Sequence, residues 1–257
     1  MRSFIWLLLI PFCMGCLWDT DTLKDEGKGL IDEVKVIVGW FDRYPPEYYQ
    51  ARLDRVLLEL KAAPGNLPLY DDAAVSLDRL HRSDEAIEMM AQKKSAMEKL
   101  KSEEGSQETL WEHQYRYLAN LGTFHVHRWI SRNKEERDTD LTDLKTAEDL
   151  IAKAITHNPD AHFGREKYQL LAIQWLQKKP DEDKSYLRGP FADQSRMERD
   201  NAAALKGFLG MIKLGSAWES FDFFNIVAEI LVWERHGRLG HLASLRAEEL
   251  HEAGRSS

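Results

Sequence analysis

The 257-residue sequence contains only two cysteines, and both lie near its start, at Cys13 and Cys16. The rest of the chain therefore has no thiol that could form a disulfide framework or act as a cysteine nucleophile. Basic residues are also few: 35 lysines and arginines stand against 43 aspartates and glutamates, which gives a formal net charge of −8. Because binding to a phosphate backbone requires clustered basic side chains, this balance argues against a nucleic-acid partner. The short basic run Lys93-Lys94 is expected on a solvated helix face.

Helix-breaking residues are scarce too, with only 8 prolines and 15 glycines. Apolar residues recur at helical spacing, as in Leu53, Val56 and Leu60, and no stretch alternates convincingly like a strand. Turns such as the one at Pro159 separate the helical stretches. This pattern predicts an all-α fold of about ten helices paired into five antiparallel hairpins. The predicted helices span 28–41, 46–62, 68–81, 83–102, 107–131, 140–157, 161–178, 194–214, 218–236 and 239–253.

The first fifteen residues have the composition of a signal peptide. Arg2 supplies a positive charge, and an apolar stretch runs from Phe4 to Phe12. That stretch is too short for an ordinary membrane span, which needs about 20 residues. We therefore expect residues 1–15 to direct export and to be removed.

The end of this leader resembles the bacterial lipobox, in which a small residue precedes a cysteine that is lipidated and becomes the new N-terminus. Gly15 and Cys16 match that motif, whereas Cys13 stands where the family usually has leucine. The resemblance implies lipidation of Cys16, a tether over 16–27, and a location in the bacterial cell envelope, facing the periplasm or the exterior. A simple secretory signal cleaved nearby is the alternative.

Residues 147–161 resemble the second helix and exit turn of a tetratricopeptide repeat. Ala147, Ile151, Ala154 and Pro159 occupy the small, large, small and proline positions of that motif. Small side chains let helix axes approach closely, and proline stops a helix because it lacks the amide donor. Asn120-Leu121-Gly122 resembles the first-helix motif of the same repeat.

The resemblance is best over 46–102 and 107–178, and a charged insertion at about 133–143 interrupts the second match. It implies that residues 28–257 form a TPR-like α-solenoid, a right-handed superhelix of antiparallel hairpins. In this family the first helices of the repeats line a groove that binds a protein or peptide partner. Aligning the motifs places eight residues in that groove: Asp71, Asp78, Arg79, Arg116, Thr123, His127, Glu166 and Gln174.

The expected function is thus a membrane-anchored scaffold rather than an enzyme, with no cofactor. One alternative is an enzyme or small-ligand binder whose loops at 133–143 and 180–193 cover an aromatic pocket, and another is a self-associating structural protein of the envelope. Core burial is nevertheless the favoured role of the tryptophans on or beside apolar stripes, which are Trp111, Trp129, Trp175, Trp218 and Trp233.

Two motifs superficially suggest metal sites. His125 and His127 are two residues apart, so on a helix their rings point about 200° apart and cannot share a metal without help. Asp138, Asp140 and Asp149 are arranged somewhat like a calcium loop, but the glycine at the sixth position is missing. We therefore expect no metal site and interpret the region as a solvated insertion.

Overall fold

The computed structural model describes residues 33–101, 107–159, 161–178, 200–215 and 217–255. These residues form eleven α-helices and no strand, which confirms the predicted all-α fold. The signal peptide, Cys16, the tether over 16–27 and the loop at 180–193 lie outside the described residues. In chain order the helices are α1 (Glu33–Ile37), α2 (Pro46–Ala62), α3 (Leu67–Arg79), α4 (Ser83–Leu100), α5 (Gln107–Ile130), α6 (Lys134–Thr139), α7 (Thr142–His157), α8 (Arg165–Gln177), α9 (Asn201–Leu214), α10 (Phe221–Trp233) and α11 (Gly237–Glu252).

Two predicted helices are shortened by glycines in the left-handed region of backbone space. The first ends at Ile37 because Gly39 has φ +74°. Gly164, with φ +70°, separates a 3-10 turn over Ala161–Gly164 from α8, where a single helix was expected. Side-chain caps set two other starts: Asp200 accepts from the Ala203 amide before α9, and Ser220 accepts from the Phe223 amide before α10.

The charged insertion differs from its prediction, because part of it is the short helix α6. The Asn133 side chain caps this helix by accepting a hydrogen bond from the Glu136 amide at 2.9 Å. Sequence periodicity could not reveal α6, since none of its residues is buried.

Successive helices pack in chain order, as helical hairpins do, and the positions that resemble the repeat motif lie at their crossings. Ala147, Ile151 and Ala154 of α7 are fully buried. A Cβ placed on Gly122 of α5 would stand only 2.9 Å from Cγ1 and Cδ1 of Ile151. The small residue at this crossing is therefore what lets α5 and α7 approach so closely.

The apolar core has two main parts. One is formed by α2, α3 and α4 together with Phe124 of α5, and the other by α5 and the helices from α7 to α11. The short helix α1 belongs to the second part through Val36 and Ile37, although it begins the described chain. Among the helices described, none is both long enough and apolar enough to cross a membrane.

Gly207 of α9 gives a direct test of this packing. A Cβ at Gly207 would lie 2.3 Å from Cδ2 of Tyr168, so Gly207→Ala must displace a buried ring. We expect a loss of about 1–3 kcal/mol in the free energy of unfolding, as in other overpacked cores. Gly237→Ala is the matched control, because a Cβ there meets nothing within 4 Å. Equal stabilities of the two variants in urea titrations would contradict the described α8–α9 contact.

Candidate functional site

Six of the eight predicted groove residues are buried inside the chain, and most of them belong to a polar seam that joins the first helices of successive hairpins. We define the polar seam as the buried hydrogen-bonding side chains shared by α3, α5 and α8. Its members are Asp71, Asp78, Asn120, Thr123, His127 and Gln169.

Asp71 is the most heavily engaged member of the seam. Both of its carboxylate oxygens accept hydrogen bonds from Nζ of Lys93 on α4 at 2.7 Å, and Oδ1 also accepts from Nδ2 of Asn120 on α5 at 3.0 Å. Burial raises the pKa of this carboxyl group, but Lys93 and His113 together outweigh that effect and hold the pKa below its ordinary value. Asp71 is therefore an ionised acceptor at the point where three helices meet.

Lys93 had been expected on a solvated face, and this expectation is wrong. Its side chain is fully buried, whereas its neighbour Lys94 is exposed. The spacing of Met90, Lys93 and Met97 explains the difference, because these residues lie on one face of α4 that packs into the core.

The second half of the seam repeats the geometry of the first. Nδ1 of His127 on α5 lies 2.7 Å from Oδ2 of Asp78 on α3, and Oγ of Ser83 donates to Oδ1 of the same carboxylate at 3.0 Å. The pairs Asp71–Asn120 and Asp78–His127 are each 49 residues apart in the sequence. From the first pair to the second, the residue numbers on α3 and on α5 both increase by seven. The two helices therefore run parallel, as the first helices of neighbouring hairpins should.

Thr123 continues the seam to the next hairpin, where its Oγ1 accepts a hydrogen bond from Nε2 of Gln169 on α8 at 3.0 Å.

Arg79 and Gln174 are half-buried. Arg79 donates to the carbonyl oxygens of Leu214 and Gly215 at 3.1 Å, which brings the end of α3 against the end of α9.

The remaining predicted groove residues are also engaged within the chain. Gln174 donates to Glu148 of α7 at 2.9 Å, Arg116 pairs with Glu112, and Glu166 is buried. A partner could not reach the six buried groove residues in this conformation. Sequence alignment to the repeat placed most of these positions on one inner surface, but that surface is an interior seam rather than an open groove.

A separate cluster of charged side chains around Asp143 joins the end of the insertion at 133–143 to α5. Asp143 accepts hydrogen bonds from Nη2 of Arg128 at 2.6 Å, from Nδ1 of His125 at 2.7 Å and from Arg132. Burial raises the pKa of Asp143, but the hydrogen bonds and charges of His125 and Arg128 together outweigh that effect and hold this pKa far below its ordinary value. Asp143 is buried, so the expectation of a wholly solvated insertion is wrong at this residue.

The two histidines of the His125-x-His127 pair point to different helices, as their spacing predicted. His125 contacts Asp143 of α7, whereas His127 contacts Asp78 of α3. In the calcium-like stretch, Asp140 binds Arg132 and the Thr142 amide, and Asp149 binds Lys153. Within the described ranges, no three histidine, cysteine or acidic side chains are grouped so that they could hold a metal ion.

The tryptophans differ among themselves more than the sequence predicted. Trp129 is buried, and Trp175, Trp218 and Trp233 are partly buried against the core. Trp111 is exposed and stacks on His157, with ring centroids 4.9 Å apart. The prediction of core burial is thus wrong for Trp111.

The α10–α11 hairpin carries an open depression of about 190 Å³. Three of its six lining residues are apolar and three are polar, and Val232 among them is 55% exposed. The residues lining the depression are Asn225, Ala228, Glu229, Val232, Trp233 and Ser244.

Comparisons with protein-family models, with curated proteins and with solved structures find no match to the chain.

The buried ion pair allows a sharp stability test with neighbouring lysines. Lys93→Met leaves the Asp71 carboxylate buried without its cation, so we expect the free energy of unfolding to fall by about 3–5 kcal/mol. Lys94→Met alters an exposed lysine and should change it by less than about 0.5 kcal/mol. Chemical denaturation of both variants measures the difference. Equal effects would show that the pair does not form.

Asp143 predicts a specific dependence of stability on pH. Since its folded pKa lies below the unfolded value of about 3.9, its contribution is fully present above that pH and is lost as pH falls further. At pH 7 we expect Asp143→Asn to cost about 1–3 kcal/mol. The gap between wild type and variant, measured by denaturation between pH 7 and pH 3, should narrow below about pH 4. A gap that stays constant over this range would contradict the assignment.

Proposed function

We propose that the chain is a membrane-anchored helical scaffold of the bacterial cell envelope that binds a partner protein through its α10–α11 hairpin. The observation that carries the proposal is the small, open depression on this hairpin. The right-handed superhelical arrangement of the hairpins, and the lipid on Cys16, belong to the same proposal.

The packing order supports a scaffold. Each of the larger helices packs mainly on its neighbours in sequence, and α3 and α5 repeat the same 49-residue offset along the polar seam. Such quasi-linear stacking is characteristic of helical-repeat proteins, whose usual role is to present an extended surface.

The size of the depression supports a protein side chain as its occupant. Small-molecule sites are typically concavities of about 300–1,000 Å³ that enclose most of the ligand. The depression is about 190 Å³ and open, so it suits one large side chain of a partner rather than an enclosed substrate. Val232 and Trp233 offer apolar contact, while Asn225, Glu229 and Ser244 can orient polar groups of the partner at its rim.

The proposed anchor strengthens weak contacts of this kind. A chain held at the membrane meets other envelope proteins at a raised effective concentration, so a modest contact area can support binding. The acidic net charge favours a partner with a basic surface over nucleic acid.

The test replaces one exposed aliphatic residue in the depression and a matched one elsewhere. Val232→Arg fills the depression with a charged side chain, whereas Leu58→Arg changes a residue on α2 that is 66% exposed. Crosslinking in the native cell, followed by affinity isolation and mass spectrometry, measures recovery of each bound protein. We expect Val232→Arg to reduce recovery of a partner at least about tenfold, as loss of a central contact does.

Leu58→Arg should leave that recovery unchanged, and both variants should unfold at the same temperature as wild type. Loss of no protein with Val232→Arg would contradict the proposed surface. If the only species lost is a second copy of the chain, the protein self-associates and the scaffold proposal is replaced by that function.

A further inference from the structure

The residues that open the described chain form a two-sided apolar segment. Val36 and Ile37 of α1 are buried against the core, whereas Val34, Val38 and Trp40 point outward and are 45%, 55% and 74% exposed. Exposure of single apolar side chains is common, but three within seven residues form a patch. We call Val34, Val38 and Trp40 the outer apolar patch.

The patch is held in place by contacts around Trp218. Gly39 approaches this ring so closely that a Cβ would lie 2.4 Å from Cη2, and its φ of +74° also favours glycine. Phe41 meets Trp218 edge-on at 5.3 Å, and the guanidinium groups of Arg43 and Arg246 lie 4.6 and 4.4 Å from its centroid. These contacts hold the segment against α11 and against the turn before α10. They thereby fix the orientation of the outer apolar patch.

The chemistry of the patch suits the interface between lipid and water. Tryptophan is enriched at that level because its ring is largely apolar while its N–H can hydrogen-bond. Nζ of Lys35 lies 5.5 Å from the centroid of Trp40, so a cation sits beside the apolar ring. Apolar residues with flanking lysine are typical of segments that lie in the headgroup region without crossing it.

The position of the patch in the sequence favours the membrane as its occupant. Glu33 follows Cys16 by seventeen residues, which span at most about 60 Å even when fully extended. A second copy of the chain is a poorer occupant, since a stable protein interface buries roughly 800 Å² on each partner, far more than three side chains provide.

We propose that the outer apolar patch rests in the headgroup region of the membrane that holds the lipid anchor. This inference rests on the proposed anchoring at Cys16. The patch adds apolar contact that is too small for stable binding by itself, but the anchor makes that contact intramolecular. It also sets the orientation of the stack, because Trp218 fixes the patch to the α10–α11 end.

The experiment uses the full-length chain, produced with its own leader and reconstituted in phosphatidylcholine vesicles that contain a headgroup-level quencher lipid. Val38→Cys provides an exposed thiol in the patch for a fluorescent label, and Ala91→Cys provides one on the exposed face of α4. We expect the label at position 38 to be quenched at least about threefold more than the label at position 91, because interfacial apolar faces are buried about 5–10 Å into the boundary between headgroups and acyl chains. Equal quenching at the two positions would overturn the inference.

A second variant separates the patch from the anchor. Adding Trp40→Ser to Val38→Cys should reduce quenching to the level at position 91, while the fraction of protein that sediments with vesicles stays constant. Quenching that persists after Trp40→Ser would show that the patch does not make the contact, and would also overturn the inference.

Metabolic labelling with a fatty-acid probe distinguishes failure of the inference from failure of the proposed anchor. Wild type should incorporate the probe, and Cys16→Ala should not. If wild type carries the probe but position 38 is quenched no more than position 91, only the membrane contact of the patch is refuted. If wild type carries no probe, the lipid anchor is refuted, and the inference falls with it.

Discussion

The buried carboxylate of Asp71 is the point on which the arrangement of the first hairpins depends. An ionised group inside a protein must have its charge balanced and its lone pairs occupied, and Asp71 meets both demands only when α3, α4 and α5 stand in one register. Apolar burial specifies that register less strictly, because it is non-directional. The pair Asp78–His127 fixes the register of α3 and α5 in the same way, two turns further along these helices.

This use of polar residues has a functional consequence. The inner faces of α3, α5 and α8 carry the side chains that could have bound an extended peptide, but those side chains bond to one another and to neighbouring helices. The surfaces proposed here for recognition lie elsewhere, in the depression on α10–α11 and in the outer apolar patch. Both belong to the same end of the stack, because α1 is fastened beside Trp218. If the proposed anchoring at Cys16 holds, this arrangement places the proposed partner surface close to the membrane.

Local sequence patterns predicted much of the fold. Apolar periodicity and turn residues located ten helices, seven of which begin and end within three residues of their predicted limits; the first and seventh are shortened, and the eighth begins only after Asp200, which caps α9. Ala147, Ile151 and Ala154 occupy the buried crossings that their spacing indicated. The exceptions have identifiable causes: α6 has no buried face, and Gly39 and Gly164 adopt left-handed conformations that end or interrupt helices. The solvated position expected for Lys93 was wrong, although Met90 and Met97 on the same face of α4 carried the signal for its burial.

The sequence by itself determined the helical class, the hairpin order and the absence of thiol chemistry after Cys16, since these depend on residue types and on spacing within a few turns. Only the tertiary structure decided that Asp71 meets Lys93 and Asn120, that Trp111 stays exposed, and that α1 packs against α9 and α11, more than about 160 residues later. The physical reason is that these two kinds of feature depend on interactions at different distances along the sequence. A helix is stabilised by hydrogen bonds four residues apart, whereas the burial of a side chain depends on which distant surface packs against it.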